Sequence, residues 1–401
     1  MKKAVIVGIV SMLFMPAIAI NENMGHESFI TDGKTLYVGG DGPNNYTRIQ
    51  DAIDAAKDGD TIFVYDESSP YYEDFMIYKS INLIGENKNV VIAGTCLIVS
   101  DYVNIKNFTF EKNIDNVGKD FCNISNCIFN SSYIILRGAS NNRISRCLFN
   151  AGGGIALYGS NNHIFENKFI HCFEAIACDS YEGNIIENNN FSFNKIGIYL
   201  HGGGWGYGNT IKNNSFFENG IGIELSEAGG HRIYNNSFTG DGISTSGKVY
   251  ESYGGNDIFN NTINGKPIIY LKEKSGVVID EKIDAGQIIL VKCSYITIKH
   301  QKINNTCVGV RLWDCRNCKI YENNISNNDW GIWLQDSKGN AIKHNNFMKN
   351  DFHAVITTWK GIYHNRWNRN YWDNWRIPFP KPIGLKNVDW LPMIKPYRWW
   401  K

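Results

Sequence analysis

Arg137, Tyr158, Asp179 and His201 follow one another at intervals of 21, 21 and 22 residues, and Tyr199 and Glu224 stand 25 apart beside them. Each sits in or just after a short apolar motif, as in Gly197-Ile198-Tyr199-Leu200-His201. Later copies of the motif add Arg311 with Trp313, then Trp333 with Gln335. If the Ile and Leu of the motif point inward along a strand, the residue between them and the residue after them point outward. The two outward rows then mix aromatic rings, which stack on sugar faces, with charges that bind hydroxyls and carboxylates. A Tyr–His–Arg–Asp set can also abstract a proton beside a uronate carboxylate, as lyases and C5-epimerases do. Glycoside hydrolysis is disfavoured: it needs two carboxyls ~5–9.5 Å apart. Asp179 and Glu224 fall two coils apart on different rows, beyond that reach at ~4.8 Å per coil. No residue is assigned a catalytic role, and the bland alternative is a polar strand face with no ligand.

A second constellation has metal-ligand chemistry. Counting two residues past an inward Ile gives His300, Glu322, His344 and His364 on successive coils. Imidazoles ~4.8 Å apart can share copper or zinc. Equivalent slots elsewhere hold Arg146 and Glu166, so the alternative is a solvent-facing charged position. No other cofactor is expected.

These rows exist only if the chain is a stack of coils. Val308-Gly309-Val310-Arg311-Leu312 is answered 22 residues later by Trp330-Gly331-Ile332-Trp333-Leu334, and Ile320, Asn323 and Asn328 by Ile342, Asn345 and Asn350. A fixed offset of this size marks a solenoid. Alternating apolar residues broken by Gly, Asn and Ser mark short strands with tight turns. The expected fold is therefore all-β, a right-handed single-stranded parallel β-helix with a short N-terminal capping helix and an aromatic-rich C-terminal cap. Two asparagine columns should run along it. One is Cys127, Cys147, Asn167, Asn189, Asn214, Asn236, Asn261, Gln301, Asn323, Asn345 and Asn365; the other is Cys172, Asn194, Asn219, Thr306, Asn328 and Asn350. Asparagine suits turns because it tolerates left-handed backbone, and stacked amides can bond the coils above and below.

The Gly-Ile-x-Leu and Asn-x-Phe-x-x-Asn repeats resemble the right-handed parallel β-helix family named after the periplasmic copper-binding protein NosD, which overlaps with carbohydrate-binding and sugar-hydrolase β-helix repeats. Tyr46 to Asp54 with Gly59-Asp60-Thr61-Ile62 resembles the family's N-terminal cap. Gly265 to Leu271 resembles a recurrent internal segment, and Asn370-Tyr371-Trp372-Asp373 the closing motif. The resemblance implies fold strongly and activity weakly. The lyase and epimerase catalytic motifs are not matched. The family name brings a third function, assistance in copper-site maturation, beside glycan binding and polysaccharide modification.

The rest of the chain is organised around the coils. Met1-Lys2-Lys3 and the apolar run to Ile20 read as a secretory signal over residues 1–20, with an uncleaved anchor as the alternative. This points to the periplasm, the cell surface or the medium, with no membrane span after cleavage. Residues 21–95 should hold the cap and first coils, where Thr47 caps a helix with apolar face Ile49, Ala52, Ile53 and Ala56. Residues 96–370 form the helix body, with an irregular segment at 241–290 where a longer coil or loop is expected. Residues 371–401, rich in Trp and Pro, read as a plug, with a sugar-stacking platform as the alternative. A formal charge of +1 gives no argument for nucleic acid. A monomer is expected. The ten cysteines can pair as Cys127/Cys147 and Cys293/Cys315, or remain small apolar residues in ladder slots.

Overall fold

A computed structural model describes residues 33–179, 181–202, 208–247, 255–359, 361–384 and 386–398. The signal-like segment 1–20 and Trp399 and Trp400 lie outside them. Nearly all regular structure is short parallel strand. Each strand pairs with its equivalent in the next coil, as Leu312 with Leu334. Both leucines are fully buried, so the 22-residue period does stack like on like.

The first coil stack runs from Thr35–Val38 to Thr262–Ile263 and is walled by three sheets. Inward residues form columns, because in-register parallel strands repeat the same parity on every coil. One is Ile105, Ile124, Ile144, Ile164, Ile186, Ile211 and Ile233. Another is Phe129, Phe149, Phe169, Phe191, Phe216 and Phe238, whose rings stack at 4.7–4.9 Å. Branched and aromatic side chains suit a strand buried on its inner face.

Three polar ladders fix the corners. Asn167 shows the pattern: its backbone N–H and its amide both donate to Asn189 Oδ1 at 2.9 and 3.0 Å, and the amide also donates to the Ile144 carbonyl at 2.9 Å. The ladder asparagines are not the left-handed residues. The residue before most of them is, as at Asn188 (φ 56), Asn213 (φ 56), His300 (φ 55) and Glu322 (φ 59). Asparagine is therefore selected at the rung by hydrogen bonding, and left-handed backbone falls on a neighbour of varied type. A third ladder, unforeseen from the sequence, runs Asn142, Asn162, Asn184, Asn209 and His231. The first column needs a correction at its end: Asn345 bonds Asn370, while Asn365 continues the ladder from Asn340. All ten cysteines are free and buried.

At 264–265 the chain reverses. Thr262–Ile263 pairs antiparallel with the start of Lys266–Lys272, and the same 14-stranded sheet continues through Gln287–Val291, Val308–Trp313 and Trp330–Gln335. A second coil stack grows from there with its own core of Leu290, Leu312, Leu334, Ile320 and Trp372. Its interior lies on the opposite face of the shared sheet. Leu290 and Leu312 point into the second core, whereas Ile289, Val291 and Trp313 join the first. The outer face of the second stack's first strands thus covers the open end of the first stack. The described parts of the irregular segment, 241–247 and 255–290, contain this reversal and seam; residues 248–254, where a loop could be expected, lie outside the described residues.

Both remaining ends are plugged. The helix Ile49–Ala55 buries Ile49, Ala52 and Ile53. Thr47 does not cap it. Glu73, from the next strand region, accepts the backbone N–H of Ile49 at 2.6 Å and of Gln50 at 3.3 Å, so a carboxylate fills the role at the positive end of the helix. At the other end Trp372 is fully buried and stacks on Phe347 at 4.5 Å. Asp389 accepts from the Trp372 indole at 3.1 Å and from Asn370 at 3.0 Å. Trp359 and Trp390 face solvent.

Candidate functional site

The strands Tyr133–Arg137, Gly154–Tyr158, Glu174–Asp179, Ile196–His201 and Ile221–Ser226 lie side by side in one sheet of the first stack. Their pairing brings the expected rows together: Arg137 beside Tyr158, His201 between Asp179 and Ser226, Tyr199 beside Glu224. The inward Ile and Leu of these strands, with Cys178 in the Leu position of Glu174–Asp179, are buried, which forces the intervening side chains outward. Arg137, Tyr158, Asp179 and His201 are exposed, and Tyr199 and Glu224 are half-buried.

Contacts within the face tie charges in pairs. Arg137 Nε reaches both carboxylate oxygens of Asp115 at 3.0 Å. His201 Nδ1 lies 3.1 Å from Asp179 Oδ1, and the His201 ring lies nearly parallel to that of Tyr199, 6.1 Å away. The Ser246 hydroxyl donates to Glu224 at 3.0 Å. Burial, together with the charge of Glu224, holds the Glu174 carboxyl above the usual carboxylate range. Asp115, Glu174 and Ser246 were missed in the sequence. Glu174 has the parity of the inward Ile176 and Cys178, so alternation gives no hint of it. Asp115 precedes the recognisable motif copies, and only its register partner Ile135 marks it.

The second-stack half of the rows is not part of this face. Arg311, Trp313 and Gln335 are 1%, 7% and 1% exposed. Val308–Trp313 is buried on both sides, because it is wall to one stack and lid to the other. Arg311 donates to Thr245 Oγ1 and to the Thr245 carbonyl at 3.1 Å, and to Gln335 Oε1. Gln335 in turn donates to the Gly247 carbonyl, and Gln287 clamps Ile243 through its N–H and C=O. Burial pushes the Arg311 guanidinium down to about 9, against the opposing charge of Asp336. Trp333 is half-buried; its ring lies 4.0 Å from that guanidinium and its indole donates to Thr357. Arg311, Trp313 and Gln335 hold the seam, and Trp333 packs on Arg311 from within the second stack. The repeat pattern could not reveal this, since it reports parity and not which face a reversed stack turns outward.

The metal-type column is also partly out of register. His300, Glu322 and His344 occupy one slot, but Ile342 pairs with Trp367, so the next member is Arg369. His364 lies level with Gly339, whose N–H it accepts on its carbonyl. Ile362 is exposed rather than inward, and Trp367 fills that slot. His300 is held between Glu281 at 2.7 Å and Glu322 at 2.9 Å. Burial alone would lower its pKa, but the two carboxylates outweigh that and hold it above the ordinary value. His344 stacks on Tyr397, whose hydroxyl donates to Glu322. Among the described residues no group of three or more His, Cys, Asp or Glu is placed to hold a metal ion.

Residues 53–248 match the family model described as periplasmic copper-binding protein (NosD), and residues 242–374 the model described as right handed beta helix region. No curated protein matches the chain. Similar solved structures include a PL6 alginate lyase in complex with trisaccharide, at 12% identity and TM-score 0.42, covering 85% of this chain and 86% of that one. The Dettilon tailspike protein has 14% identity and TM-score 0.41, covering 81% and 68%. A mannuronic acid specific polysaccharide family 6 lyase from human gut microbiota has 15% identity and TM-score 0.37, covering 84% and 87%. Likeness at this level does not extend to ligand or chemistry.

Proposed function

We propose, for a chain that is a right-handed parallel β-helix of the NosD type, that the outer face of its first coil stack binds a polysaccharide or other surface glycan. One observation carries this. Arg137, Tyr158, Asp179, Tyr199, His201 and Glu224 share a single sheet face on neighbouring coils, while Arg311, Trp313 and Gln335 of the second stack are buried. An extended sugar chain lying across the coils meets a new row every ~4.8 Å. Tyr158 and Tyr199 offer ring faces, and the flanking charges offer hydrogen bonds to hydroxyls. The leader-like segment at residues 1–20 adds export to the reading. The test is a glycan array probed with the full chain and with Tyr199→Ala and His201→Ala. Both side chains face outward, so the variants keep the fold and should lose binding. A wild-type chain that binds no glycan ends the proposal.

A second reading, proton abstraction from a bound polysaccharide, draws on the 3.1 Å contact between Asp179 and His201. It calls for unsaturated or epimerised uronate after incubation with uronate polymers, abolished by His201→Ala. Absence of either product from every polymer tried removes it.

A further inference from the structure

Charge is divided unevenly along the chain. Residues 359–401 hold nine Lys and Arg against two Asp, while the residues before them hold 31 basic against 37 acidic. Both of those aspartates are used internally. Asp389 is buried under Trp372 and Asn370, and Asp373 pairs with His353 at 2.8 Å. Arg366, Arg369, Arg376, Lys386, Lys395 and Arg398 are exposed, so the outer surface of the cap is basic with no acid beside them in sequence.

The same cap exposes large apolar side chains that its plugging role does not use. Trp367 and Trp372 close the second core. Phe379, Trp390, Leu391 and Ile394 are 66%, 67%, 58% and 55% exposed. The antiparallel pairing of Lys381 with Asp389 brings the arm that carries Phe379 alongside the segment that carries Trp390 and Leu391. Pro378, Pro380 and Pro382 stiffen the arm that carries Phe379.

We propose that this cap is a docking surface for an anionic lipid bilayer. Exposed indole and phenyl rings on a cap rich in exposed Lys and Arg match the chemistry of the membrane interface, where aromatics lodge at headgroup level and basic residues meet anionic lipid. A soluble polyanion would satisfy the charges and leave Phe379, Trp390 and Ile394 in water. The surface is separate from the Tyr199–Glu224 face, and neither reading depends on the other.

The experiment is co-sedimentation of the full chain with phosphatidylglycerol/phosphatidylcholine vesicles and with phosphatidylcholine alone, with tryptophan emission recorded. Expected are binding to the anionic vesicles, a blue shift, and weakening by roughly tenfold or more for Lys386→Glu/Lys395→Glu. Phe379→Ser/Trp390→Ser should weaken binding comparably, with an unchanged circular dichroism melt for both. No binding to anionic vesicles overturns the proposal. So does binding that the apolar double variant leaves intact, which would indicate a polyanion site. So too does self-association abolished by that variant without vesicle binding, which would indicate a second copy.

Discussion

Replacing Asn189 and Asn188 separately by alanine distinguishes hydrogen bonding from backbone conformation as the reason for the asparagine columns. Asn189 is a rung, fully buried, and accepts the Asn167 N–H at 2.9 Å and the Asn167 amide at 3.0 Å. Its own amide donates to the Ile164 carbonyl at 2.9 Å and to Asn214 Oδ1 at 3.1 Å. Truncation strands the buried Asn167 N–H, worth ~1–3 kcal/mol by itself. With the other lost bonds and the small void the total is ~3–5 kcal/mol. Asn188 is exposed with φ 56, so Asn188→Ala costs only the left-handed penalty of ~1 kcal/mol. Urea unfolding followed by circular dichroism reads both. The Asn189 variant should lower the midpoint by about 1 M or more, given slopes of ~1–3 kcal/mol per molar or above, and the Asn188 variant by a third of that or less. Equal shifts, or a larger loss at Asn188, would refute the ladder reasoning.

Asp241 ends the second ladder at the seam, fully buried, accepting the Asn219 amide at 2.6 Å. Burial raises its carboxyl to about 7 against the two Asn219 hydrogen bonds. A raised folded-state value means its contribution is complete below about 3.8 and is lost as pH rises through about 7. Asp241→Asn keeps the acceptor and removes the charge, so it should raise the melting temperature at pH 8 and leave it nearly unchanged at pH 4. His231, in the third ladder, is held down to about 4 by burial; its contribution is present above 6.5 and lost as pH falls through about 4, and His231→Asn should reduce that acid sensitivity, read by melting at pH 4 to 7. Trp372→Ala opens the second core and should cost ~3–5 kcal/mol by urea unfolding, with glycan binding by the folded fraction unchanged. Trp313→Ala should likewise reduce thermal stability and leave glycan affinity intact, because the side chain serves the seam.

The solenoid was legible because its physics repeats: one inward parity and one rung chemistry recur on each coil. Leu312 over Leu334 and the Arg137–Glu224 face follow from that alone. The seam was not legible, since Arg311 and Gln335 obey the same outward parity as Asp179 and His201. Only the antiparallel turn at 264–265 decides that their side is covered. The helix cap at Glu73 was hidden for a related reason, as the partner comes from a neighbouring segment. Near Trp359 the coil lengthens to 25 residues, from Ile342 to Trp367, so a shorter step through the exposed Ile362 misplaces His364 and Asn365 by part of a coil.

Hydroxyl-radical footprinting read by mass spectrometry puts the division between open face and seam to the most direct test. Tyr158 should be oxidised readily in the free protein and shielded once a glycan from the array is bound, while Trp313, despite its greater intrinsic reactivity, stays unmodified in both states. Trp313 oxidised as fast as Tyr158 in the folded chain, or Trp313 shielded by glycan, would contradict the division.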